Sequence, residues 1–291
     1  MAKTRNIFSD LPPGRYDGIT VYVRNGKVVK RRSKNDKGNP SKSKIQSSAR
    51  LRWNNVQHLW SAFPQEWRPR YQNRAAGCSN YNTFMSLNMH ITPIYFTRQE
   101  VENYASVLMP LVVSHGILKG IATEHDGTGV ASNIAMGDFA VTPQTTVGQF
   151  SKAIVEHNRD FGQGDWLTFV QGTQEMDALA PRARFVCHTV VLDLLSVQPL
   201  AEAVGSSDGF EVRDGVLASS VATGAATWVH ERPTADGETL VSTQQLWCDN
   251  EEMIAQYTSQ EALARAAASY SKGKADFLRP EPTLSDTAGK L

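Results

Sequence analysis

The residues best able to do chemistry in this 291-residue chain are cations near its start. Arg24, Lys27, Lys30, Arg31, Arg32, Lys34, Lys37, Lys42, Lys44, Arg50 and Arg52 fall within about thirty positions. A row of mobile cations is what a phosphate backbone needs, because neutralising phosphates releases condensed counterions whatever the base sequence. Tyr22, Trp53 and Trp60 stand among them and offer faces on which bases stack. The same cations also suit an acidic protein surface or plain solvation. Arg24, Lys27, Lys30, Arg31, Arg32, Lys34, Lys42, Lys44, Arg50 and Arg52 are therefore the candidate site for nucleic acid or an acidic partner. Trp53 and Trp60 are explained more simply as core.

The net charge of +1 hides a division. Residues 1–75 hold 17 Lys/Arg against 4 Asp/Glu, a net of +13, and residues 76–291 hold 13 against 25, a net of −12. Such blocks point to a basic segment that meets something anionic, followed by an acidic body. The anion is either nucleic acid or the acidic body of a neighbouring copy.

Other chemistry is weaker. Glu124-His125-Asp126 is compact, but three adjacent residues in an expected turn do not converge on a metal as ligands from several elements do. His188 follows Cys187 in an expected strand, where neighbours face opposite sides. His230 reads as a strand end, and Asp249-Asn-Glu-Glu252 as a loop. There is no Gly-x-Ser-x-Gly, phosphate-binding loop, Gly-x-Gly-x-x-Gly or His-Glu-x-x-His. No catalytic residue, metal or cofactor is expected. Three cysteines, Cys78, Cys187 and Cys248, form no Cys-x-x-Cys pair and fit a reducing compartment. The start lacks the apolar run of a secretory signal. The longest apolar stretch, Val107 to Val113, falls far short of the roughly 20 residues that span a bilayer. The expectation is a soluble protein made in the cytoplasm, or carried in a virion, with no membrane partner.

These residues need elements to hold them. Ile19–Arg24 and Lys27–Arg31 alternate around Asn25-Gly26, a strong hairpin signal. Residues 33–43 read as a connection. A helix then carries Ile45, Ala49, Trp53, Val56, Trp60 and Phe63 on one apolar stripe. Pro64 suits the start of a further helix containing Trp67. Another helix is expected over Asn80 to Asn88. Thr97-Arg-Gln-Glu100 fits a capping box. From about residue 107 short β-rich runs dominate: Leu111–Val113, Trp166–Gln171, Arg184–Leu194, Ala225–His230 and Leu240–Trp247. A helix over Thr146–His157 interrupts them. A capping box at Thr258–Glu261 opens a last helix to about Tyr270.

The order of short motifs carries a likeness. It runs through Arg24-Asn-Gly-Lys27, Ser41 to Asn54 with Gln46 and Arg50, Tyr81-Asn-Thr-Phe84 and Val113-Ser-His-Gly116. Gly164-Asp-Trp-Leu-Thr-Phe169, Trp228-Val-His-Glu-Arg232, Leu240-Val-Ser-Thr-Gln244 and Tyr257-Thr-Ser complete it. Over most of its length the chain resembles an uncharacterised protein family of gut Bacteroidota and their phages and mobile elements. That family has no established activity, so the resemblance carries over no catalytic residues. It implies a phage or mobile-element setting, where binding and assembly roles are common.

The expected fold is α+β: a basic hairpin with short helices over 1–106, a mainly antiparallel, sandwich-like acidic body over 107–271 with a terminal helix, and a tail over 272–291. The expected function is a non-enzymatic binding and assembly protein, structural and phage-associated, that self-associates through its basic region and acidic body. A nucleic-acid-binding protein is the second reading. A hydrolase or carbohydrate-active domain is the third, and it requires a pocket of paired carboxylates or converging histidines.

Overall fold

The computed structural model describes residues 13–16, 19–24, 27–32, 44–72, 74–125, 129–177, 179–205, 209–220 and 224–270. Lys34, Lys37, Lys42 and the expected connection and tail lie outside them. The fold is α+β, with mostly antiparallel sheets. Contacts divide the chain into two compact units, residues 1–43 and 44–291. The division thus falls after residue 43 rather than near 106, because residues on both sides of 106 share one core.

The first unit is a three-stranded antiparallel sheet of β1 (Gly14–Tyr16), β2 (Ile19–Arg24) and β3 (Lys27–Arg32), in that order. Its β2–β3 pair is the expected hairpin. Arg24 pairs with Lys27, Tyr22 with Val29 and Thr20 with Arg31, while Arg15 of β1 pairs with Thr20. Because successive residues of a strand face opposite sides, Thr20, Tyr22, Val29 and Arg31 share one face. Ile19, Val21, Val23 and Val28 share the other with Lys30. Lys30 and Arg31, adjacent in sequence, are therefore split between two faces.

In the second unit a five-stranded sheet separates two cores. Its path is β13 (Thr239–Val241), β12 (Gly224–Pro233), β8 (Trp166–Met176) and β9 (Pro181–Val191), with β15 (Trp247–Asp249) also paired to β12. One face packs Val170, Phe185, Ala225 and Val229 against α1 (Lys44–Ala62), α2 (Asn80–Asn88) and residues 94–113. Phe63, just after α1, lies flat on Phe185, with ring centroids 3.9 Å apart. The other face packs Leu167, Phe169, Val190, Ala226 and Trp228 against β7 (Val130–Ala135), β11 (Val216–Ser219), α4 (Val147–His157) and α5 (Leu200–Val204). The strands β7 and β11 belong to a second antiparallel sheet with β6 (Thr123–His125) and β10 (Glu211–Arg213). A small third sheet joins β14 (Gln244–Gln245), β5 (Val112–His115) and β4 (Arg70–Tyr71).

The helices correct several expectations. The buried stripe of α1 runs through Asn55, Val56 and Leu59 and on to Phe63, so Trp53 lies outside it, 40% exposed. Trp53 instead donates Nε1–H to Gln57. Asn55 is buried because its side chain closes the backbone of Val107, accepting from the N–H at 2.8 Å and donating to the carbonyl at 3.1 Å. Pro64 opens no helix: Trp67 is buried by an irregular segment that continues into β4. The capping box at Thr97 forms as expected before α3 (Arg98–Glu102). The box at Thr258 does not, since Ser259 takes the capping role before α7 (Gln260–Tyr270) by accepting from Ala262 N–H. The acidic stretch read as a loop starts α6 (Glu251–Thr258), where Glu251 and Glu252 complement the helix dipole. Leu240–Trp247 is not one strand but is divided among β13, β14 and β15. No helix among the described residues is long and apolar enough to cross a membrane.

Candidate functional site

The basic candidates are divided between the two units. Arg24, Lys27, Lys30, Arg31 and Arg32 belong to β2 and β3, where the register puts Lys30 and Arg31 on opposite faces. Lys30 and Arg31 are exposed. Lys44, Arg50 and Arg52 belong to α1 in the other unit, where Arg52 is half-buried; Lys34 and Lys42 lie outside the described residues. Trp60 packs at the edge of the core against Phe84 and carries Arg68 over its ring at 5.5 Å, so it is no stacking platform. Tyr22 shares one hairpin face with Arg31.

The densest polar cluster lies where no single motif pointed. Asp165, immediately before β8, is buried, as is His230 of β12. Gly164 adopts a left-handed φ of 84°, which turns the chain so that the Asp165 carboxylate accepts from Gly162 N–H at 2.8 Å. Arg232 donates to both carboxylate oxygens, Nε at 2.7 Å and Nη2 at 2.6 Å, and His230 Nε2 lies 2.8 Å from Oδ2. An ionised carboxylate only accepts, so Nε2 carries the proton. Burial pushes the Asp165 carboxyl up, but the bonds from Arg232, His230 and Gly162 outweigh it and hold the group at about 2. Phe161 stacks on the His230 ring at 4.2 Å. The backbone of His230 exchanges hydrogen bonds with Ser242, whose carbonyl accepts from Ser114. Thus His230 is an interior strand residue, not a strand end. Alternation puts His230 and Arg232 on one face, opposite Asp165, and Glu231 on the other.

A carboxylate paired with histidine resembles an acid–base dyad. Here every carboxylate oxygen is taken, and the recess beside His230 measures about 30 Å³. That is room for about two water molecules and no substrate. The cluster's chemistry is structural: it neutralises a buried charge and ties β8 to β12.

Glu231 faces the other core and is 0% exposed. Burial pushes its carboxyl up, against the lowering charge of Arg70. Arg70 Nη1 lies 3.4 and 3.5 Å from the two carboxylate oxygens. Arg70 also lines a crevice of about 850 Å³, together with Gln72, Arg74, Cys78, Asn80, Trp166 and Glu238.

The remaining candidates are scattered. Glu124 and His125 are exposed on β6, not in a turn, and His125 stacks on Trp247 at 5.0 Å. Asp126 lies outside the described residues. His188 Nδ1 meets the Val204 carbonyl at 2.8 Å, while burial and then the charge of Glu231 push the Cys187 thiol to about 12. Among the described residues no group of three or more His, Cys, Asp or Glu is arranged to hold a metal ion. Comparison with family models, curated proteins and solved structures found no match.

Proposed function

We propose that the protein is a non-enzymatic binding and assembly protein of phage or mobile-element origin that self-associates through its basic N-terminal unit and acidic body. One observation carries this reading: the structural division after residue 43 also separates two opposite net charges, although the basic block of the sequence runs on to about residue 75. Unit 1–43 holds 11 Lys/Arg against 3 Asp/Glu, a net of +8, and unit 44–291 holds 19 against 26, a net of −7. Two compact bodies of nearly equal and opposite charge suit head-to-tail contact between copies, which builds rings or filaments. The half-exposed Val23 and Val28 on the hairpin, each 53% exposed, add apolar area to such a contact. Light scattering across salt concentrations tests it. Assembly should dissociate as ionic strength rises from about 0.05 to about 0.5 M, because the screening length shortens several-fold over that range. Replacing Arg24, Lys27 and Arg31 by Glu should abolish it at low salt. A particle mass independent of salt, or unchanged by that charge reversal, refutes the reading.

A second reading, nucleic-acid binding, is favoured by Tyr22 sharing a hairpin face with Arg31. It predicts affinity for a labelled single-stranded oligonucleotide that falls steeply with salt. Arg31→Ala should reduce that slope more than Lys30→Ala, which lies on the other face. Equal slopes would exclude face-specific contact.

A further inference from the structure

The 850 Å³ crevice has no part in the assembly reading, and its size falls in the range of small-molecule sites. Its lining brings Arg70 and Arg74 to one concavity with Gln72, Asn80 and Thr239. Trp166 also lines it, with the Arg70 guanidinium carbon 5.9 Å from the centroid of its ring. We propose that this crevice binds a small phosphate monoester of about mononucleotide size, its phosphate held by Arg70 and Arg74.

The state of Arg70 carries the argument. A charge-assisted pair closes to about 2.7–2.9 Å when well made, whereas Arg70 stands 3.4 and 3.5 Å from Glu231. Only Nη1 is turned to that carboxylate, and the rest of the fork is left for another acceptor. Behind it, Glu231 Oε1 and Trp67 Nε1 are buried and complete no hydrogen bond. Glu231 therefore holds Arg70 near the crevice without satisfying it. Arg74 is exposed, and its protein contact is a 3.5 Å bond to the Cys78 carbonyl. Two planar forks facing one hollow match the oxygens of a phosphate, which takes paired N–H donors. A carboxylate offers two acceptor oxygens and one charge and would engage the pair less completely. Glu238, also in the lining, disfavours a ligand with a second anionic end near it.

The test is calorimetric titration of the full chain with AMP, inorganic phosphate and ribose, at low ionic strength. AMP should bind with Kd at or below about 1 mM, phosphate more weakly and ribose not at all. Arg74→Ala, a surface change that leaves the fold intact, should weaken AMP at least about tenfold. Glu231→Gln releases Arg70 and should bind AMP as tightly as the parent or tighter. Saturating AMP should slow alkylation of Cys78, which lines the crevice. The hairpin variant Arg24→Ala/Lys27→Ala/Arg31→Ala should bind AMP like the parent, which separates this site from phosphate attraction by the basic unit. No AMP binding at about 5 mM, AMP affinity unchanged in Arg74→Ala, AMP binding lost in the hairpin variant, or Cys78 alkylation indifferent to AMP would each overturn the proposal.

Discussion

Replacing Asp165 by Asn tests whether the buried charge cluster stabilises the body. The carboxyl sits at about 2 against an ordinary 3.8, a difference equivalent to roughly 2 kcal/mol in favour of the folded ionised form. Its folded value is depressed, so this contribution is present above about pH 4 and is lost as pH falls toward about 2. Asparagine would also turn an amide N–H toward donors of Arg232, His230 or Gly162, which raises the expected loss to about 3 kcal/mol. In a body of this size that lowers Tm by about 6–12 °C. Urea unfolding followed by tryptophan fluorescence provides the assay. The parent should exceed Asp165→Asn by about 3 kcal/mol near pH 7, and the gap should narrow steadily below about pH 4, because protonation removes from the parent what the substitution removes from the variant. A gap of constant size from about pH 7 to about pH 2.5, or no gap at all, would refute the reasoning.

Other outcomes follow from single contacts. Gly209→Ala should cost more than about 2 kcal/mol in urea unfolding, since φ is 80° there and an added Cβ would stand 2.1 Å from the Phe169 ring. Asn55→Ala should cost about 2 kcal/mol, because it orphans both the N–H and the carbonyl of buried Val107. Phe63→Ala should cost about 3–5 kcal/mol while Trp53→Ala stays within about 1, despite equal prominence in the sequence stripe. Iodoacetamide near neutral pH should leave Cys187 and Cys248 unmodified in the folded protein and label them in urea, because burial raises both thiols to about 12.

Local rules made much of the fold legible. The Asn-Gly hairpin, the helix at Asn80–Asn88, the capping box at Thr97 and the positions of the long central strands all follow from periodicity and turn chemistry. Trp53 was misplaced because a helical stripe is broad, and only the tertiary demand of the Val107 backbone selects Asn55 rather than Trp53 for the interior. The short strands β6, β10 and β14 carry too few residues for a period to register. The Asp165 cluster joins positions 162 to 242 through a turn, two strands and a hairpin, a convergence that no linear spacing encodes. Its residues lie in two short segments far apart in sequence, Gly164-Asp165 and His230-Glu-Arg232, which the fold joins in one bonded network.

The placement of three charges on β12 has a consequence for how the chain reaches this state. β8 has eleven residues and β12 ten, both rich in apolar side chains that would tolerate more than one alignment. A slip of one residue would carry Glu231 round to Asp165, setting two carboxylates together in the interior, and would drive His230 and Arg232 into the apolar side beneath α1. The acid on one side of the sheet and the bases on the other thus act as a keying feature. Misaligned strands are thereby penalised by the buried charges that the slip itself would create.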